Sequence, residues 1–80
     1  MSDISLKALI ATVIQIDPTS LTDASGMNET DGWDSLKQFE IMADIENQYS
    51  VKLKFDDIEH ATTIGAIRAA LKRVGVVAAE

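Results

Sequence analysis

Apolar residues recur at helical spacing in three stretches of the chain. In the first, Leu6, Leu9, Ile10, Val13 and Ile14 mark one face. Ser2 is placed to cap this helix, and Asp3 is favourable in its first turn. Asp17-Pro18 ends it, because the residue before a proline is pushed out of the helical region. The spacing predicts a helix over 3–16. In the second stretch, over 35–49, Leu36, Phe39, Met42, Ala43, Ile45 and Tyr49 fall on one broad stripe with Glu46 at its edge. Glu40, Asp44 and Asn47 fall mainly on the opposite face. The third stretch, over 64–74, turns Ile64, Ile67, Ala70, Leu71 and Val74 inward. Thr62 or Thr63 caps it, Lys72 and Arg73 complement its C-terminal end, and Gly75 stops it.

Residues 17–34 have no periodicity and are rich in Asp, Thr, Ser, Gly and Asn. A loop this long is uncommon inside a compact domain and is often functional. Leu21 and Met27 are its expected anchors in the core. Asp31-Gly32 is a turn signal, but its flanks do not alternate, which speaks against a hairpin. Val51-Lys52-Leu53-Lys54-Phe55 alternates apolar and basic residues and predicts an extended connector with Val51, Leu53 and Phe55 inward. Residues 56–60 can make one short helical turn around Ile58. The fold class is therefore all-α: a small four-helix bundle of three main helices and one short one. A long loop joins helices one and two, and no strand pairing is required. One domain spans 1–80, with a core over about 3–74 and a frayed tail beyond it.

Composition narrows the function. Eighty residues, 46% of them hydrophobic, bury only a small core. A deep catalytic cleft is hard to build at this size, which favours a binding or carrier module over an enzyme. There is no cysteine, hence no disulfide framework, thiolate metal site or cysteine nucleophile. That fits a cytoplasmic protein. The apolar run 9–14 is too short to span a bilayer, and Asp3 spoils the basic region of a secretory signal. A net charge of −6 speaks against nucleic acid, which requires a basic surface. It suits docking to basic patches on partner proteins, and it equally serves to keep a small protein soluble.

The polar loop runs into Gly32-Trp33-Asp34-Ser35-Leu36, where helix two begins. Two capping residues stand side by side. Ser35 and Gln38 satisfy the S-x-x-Q capping box, so Ser35 can be a plain cap. Alternatively Asp34 caps, and the Ser35 hydroxyl is free in the first turn, beside unpaired N–H groups that stabilise a phosphate. In that case Asp34 also offers a ligand for the metal that a phosphate-transferring enzyme brings.

This stretch resembles the attachment site of the acyl carrier protein family. Asp34-Ser35-Leu36 is followed by Glu40, Ile41, Ile45, Glu46 and Tyr49, similar to that family's second helix. Val51, Leu53, Phe55 and Ile58 fit its connector and short third helix, and Thr62-Thr63-Ile64 with Ile67 looks like the start of its last helix. The resemblance covers about residues 6–74. It implies a 4′-phosphopantetheine, delivered from coenzyme A by a phosphopantetheinyl transferase and joined to Ser35 through a phosphodiester. An acyl group would ride on the arm's thiol as a thioester. Ser35 would be a modified acceptor and no residue catalytic. Asp34 would assist the transferase. Leu36, Lys37, Glu40, Asp44 and Glu46 would meet acyl-loading and acyl-transferring enzymes through their basic docking patches. Phe39, Met42 and Ile58 are candidates for an acyl pocket. The implied molecule is a cytoplasmic monomer of fatty-acid, polyketide, or specialised lipid or peptide biosynthesis. Lys37, Gln38, Lys52 and Lys54 make the region less acidic than in fatty-acid carriers, and Gly-Trp-Asp-Ser-Leu is more like carriers of specialised pathways.

Other readings of these residues fail on spacing. An EF-hand register on Gly32 puts Met27 and Gln38 at ligand positions that need acidic groups. Asp56-Asp57-Glu59 reads as a solvated helix face, and His60 as a surface or helix-end residue without zinc spacing. Met27, Phe39 and Met42 read first as core. No base lies near Ser35 in sequence to make it a hydrolase nucleophile. The alternative to a carrier is a small acidic helical adaptor that binds partners without modification.

Overall fold

The computed structural model describes residues 5–76. Among these, α1 (Leu6–Ile14), α2 (Ser35–Tyr49), α3 (Phe55–His60) and α4 (Ile64–Arg73) form a small all-α bundle, with a 3-10 turn at Pro18–Ser20. The interior is built from Leu6, Leu9, Ile10 and Ile14 of α1, Ile41, Met42 and Ile45 of α2, and Ile64, Ile67, Ala70 and Leu71 of α4. Leu53 of the connector and Leu21 and Trp33 of the loop join it.

Helix α1 is shorter at both ends than its periodicity predicts. Ser5 is extended, and its hydroxyl accepts from the Ala8 N–H at 2.9 Å, so capping occurs there and α1 begins at Leu6. The Ser2 and Asp3 assignments lie outside the described residues. Gln15 turns left-handed at φ 62°, which ends the helix before residue 16.

The long loop carries more order than its composition implies. Asp17 caps the Pro18–Ser20 turn by accepting from the Thr19 N–H and hydroxyl. The Thr19 backbone bond, and then its hydroxyl bond, hold the Asp17 carboxyl below its ordinary value. Further on, the loop is stitched to the start of α4. Met27 N–H donates to Thr62 O, Ile64 N–H to Ser25 O and Gly65 N–H to Asp23 O. The loop's carbonyls thus satisfy first-turn donors that the Thr63 cap leaves over. Gly26 sits within this seam, where a Cβ would lie 2.5 Å from Thr62 O. Leu21 is buried and Met27 packs partly buried against the core, as expected of the two anchors.

Five residues predicted inward are on the surface. The buried face of α2 is Gln38, Ile41, Met42 and Ile45. That i, i+3, i+4, i+7 set leaves Leu36, Phe39 and Ala43 exposed. Phe55 is the first residue of α3 rather than the last of an alternating connector, and it is 64% exposed. Beyond α4, Val74 is exposed, and Gly75, at φ 90°, turns the chain so that Val76 donates to Leu71 O and packs on the core. Residues 77–80 of the expected tail lie outside the described residues.

Candidate functional site

Asp34, not Ser35, is the cap of α2. It is extended, and its Oδ1 accepts from the Lys37 N–H at 2.9 Å. Ser35 is then the first helical residue, exposed, with its hydroxyl in no hydrogen bond among the described residues. It heads a helix of fifteen residues, so its position has the positive end of a full macrodipole and first-turn N–H groups without helical acceptors.

Gln38 does not take the reciprocal capping-box role. Its side chain is buried and bridges the two ends of the site. Gln38 Oε1 accepts from Trp33 Nε1 at 2.8 Å, and Gln38 Nε2 donates to Ile58 O at 3.0 Å and Ala61 O at 2.8 Å. Trp33 can only donate and the carbonyls can only accept, so the amide is fixed in one orientation. Trp33 itself is 1% exposed and is among the largest buried side chains. Neither residue was expected in the core. The signal for Gln38 was its register with Ile41, Met42 and Ile45; its polarity concealed it. For Trp33 the signal was size, as the largest side chain of the loop over 17–34.

A groove of about 230 Å³ opens between α2 and α3. Ser35, Phe39, Ile58 and Met27 line it, with Gln38 as its buried member and Glu59 and His60 on α3. His60 Nδ1 lies 3.1 Å from Asp56 Oδ1 on the exposed side of α3. Of the three candidates for an acyl pocket, Phe39 and Ile58 come together here, while Met42 is buried in the core.

The residues expected to meet partners spread along α2. Leu36 is 68% exposed beside Ser35, and Glu40 and Asp44 are exposed. Lys37 pairs with Glu40 at 3.3 Å, which offsets part of the local acidity. Glu46 is half-buried, and its Oε2 accepts from the Leu53 N–H at 2.7 Å, so it also fastens the connector to α2. None of the described helices is long and apolar enough to cross a membrane.

The family model for the phosphopantetheine attachment site matches residues 5–71. The chain belongs to this family. It is a phosphopantetheine carrier domain of the acyl carrier protein type, and the family's cofactor is 4′-phosphopantetheine, held covalently on a serine. Comparison with curated proteins finds no match. The carrier's own residues fit the group: an exposed serine hydroxyl stands at a helix N-terminus, where backbone N–H groups and the macrodipole favour a phosphodiester. Such a site needs no buried cavity, and Ser35 stands exposed at the edge of α2.

Proposed function

We propose that Ser35 is the attachment point, and that the chain carries acyl intermediates as thioesters and presents them to partner enzymes without catalysing a reaction itself. The observation that supports Ser35 above the other described serines is the division of labour at the start of α2. Asp34 makes the cap, so the Ser35 hydroxyl is unengaged and solvent-facing. The hydroxyls of Ser5, Ser20 and Ser25 are committed to local caps and turns. Ser50 stands at the C-terminal end of α2, where the dipole disfavours a phosphate.

When bound, the arm supplies a thiol, a group that a chain without cysteine lacks. The protein's residues do the rest. Ser35 Oγ accepts the phosphoryl link. Asp34 spends Oδ1 on the cap and keeps Oδ2 for the transferase's magnesium. Leu36 offers an apolar contact, and Glu40 and Asp44 offer charge to basic patches of the transferase and of acyl-transferring enzymes. Lys37 and the tryptophan-containing loop favour polyketide, peptide or specialised lipid pathways over housekeeping fatty-acid synthesis. The carrier works as a monomer in the cytoplasm.

The test is intact mass after incubation with coenzyme A, magnesium and a broad-specificity phosphopantetheinyl transferase. The wild type gains one phosphopantetheine and Ser35→Ala gains none. No gain by folded wild-type protein, with a dedicated transferase also tried, favours the unmodified adaptor.

A further inference from the structure

The groove beside Ser35 ends on Gln38, and the geometry points to a limit on what the carrier can hold. We infer that Gln38 and Trp33 bolt the bundle interior shut, so that the carried group stays in the open groove and the cargo is a short or polar acyl group rather than a long aliphatic chain. This rests on the attachment at Ser35.

An alkyl chain passing from the groove into the core between α2 and α3 must displace the Gln38 side chain. That amide is 3% exposed and holds Ile58 O, Ala61 O and Trp33 Nε1 together. Moving it strands a buried indole N–H and a buried carbonyl, and an aliphatic guest has no donor or acceptor to replace the amide. The three bonds also tie the residue before Asp34 to the end of α3, so the two walls cannot part without breaking them. Behind the bolt lies the apolar core. Ile41, Met42, Ile45, Ile64, Ile67 and Leu71 are at most 1% exposed there and offer a guest no polar partner.

The groove itself has a matching size and character. Its volume of about 230 Å³ is below the ~300–1,000 Å³ of pockets that enclose a drug-sized ligand. Met27, Phe39 and Ile58 offer apolar contact over a short length, while Ser35, Gln38, Glu59 and His60 are polar. Phe39 is half-exposed, so the groove covers its occupant on one side only. A short acyl group, or one bearing hydroxyl or carbonyl substituents, has partners in this lining. The distal carbons of a long chain have none and remain in water.

The experiment loads a series of acyl-pantetheines, from butanoyl to tetradecanoyl, onto the intact chain from the corresponding acyl-coenzyme A, with loading verified by mass. Melting temperature is then read together with the indole N–H resonance of Trp33, the chain's one tryptophan. Each methylene withdrawn from water into the core adds about 3–6 °C in a domain of this size. The inference predicts that melting temperature stays within about 2 °C from octanoyl upward, with the Trp33 indole resonance unmoved throughout. It also predicts that Gln38→Ala acquires a rise with chain length, because removal of the amide opens a path and a space. A wild-type melting temperature that climbs with each added carbon, or a displaced indole resonance, overturns the inference while leaving the attachment at Ser35 intact. A Gln38→Ala series as flat as wild type overturns the assignment to Gln38. Failure of Ser35 to load at all overturns the attachment and this inference with it.

Discussion

The indole N–H of Trp33 donates to Oε1 of Gln38 at 2.8 Å, joining the residue before the α2 cap to the one buried polar side chain of the described core. Through Nε2 the same amide reaches the carbonyls of Ile58 and Ala61. One side chain thereby fixes the attachment loop, α2 and the end of α3 relative to one another. Gln38→Ala leaves an indole N–H and a carbonyl buried without partners. It should destabilise the fold by about 2–4 kcal/mol. Urea denaturation checks this, and a loss below about 0.5 kcal/mol, the ordinary range for a surface site, contradicts it.

Asp34 and Ser35 are adjacent but unequal. Asp34→Ala removes the acceptor for the Lys37 N–H and should cost about 0.5–2 kcal/mol. Ser35→Ala removes a hydroxyl with no internal partner and should change stability by under about 0.5 kcal/mol. Thermal melts of the two variants measure the difference. Equal losses would mean that Ser35 shares the cap.

Gly26 is confined by its neighbours rather than by its backbone angles. A Cβ there meets Thr62 O at 2.5 Å and the Thr63 methyl at 2.9 Å. Gly26→Ala must open the seam between the loop and α4, at a cost of about 1–3 kcal/mol. Amide exchange of Met27 and Ile64, whose N–H groups close that seam, should accelerate with it. Unchanged protection of both would show that the seam tolerates a methyl group.

Reversing charge on α2 should act on association more than on folding. Glu40→Lys with Asp44→Lys should lower the transferase's kcat/KM severalfold at low salt, and the deficit should shrink as ionic strength rises. Stability should stay within about 0.5 kcal/mol of wild type, since both residues are exposed. Kinetics at two ionic strengths checks this. A deficit independent of salt would point to a loss of contact geometry rather than steering.

Much of this was legible in the residues themselves. The α4 face at Ile64, Ile67, Ala70 and Leu71 follows from apolar periodicity alone, and the end of α1 comes just ahead of Asp17-Pro18. Asp34-Ser35 marked the site, but spacing left open which residue caps; backbone geometry decided for Asp34. The inward face of α2 was set one step off because a polar residue holds a core position. Gln38 is stable there only because Trp33 and two carbonyls satisfy it, partners distant in the chain or in a loop without periodicity. Phe55 was misplaced because α3 begins on it and ends the period-two alternation. The loop's order at residues 23–30 depends on backbone bonds to α4, which leave no trace in side-chain pattern.

The central claim is that the phosphopantetheine arm sits on Ser35 and nowhere else. The direct measurement is peptide fragmentation by mass spectrometry of the loaded wild-type protein, beside intact mass of Ser35→Ala treated identically and shown to be folded. The account predicts a single phosphopantetheine, localised entirely to Ser35, and an unmodified variant. A modification on any other residue, or one that persists in Ser35→Ala, would contradict it.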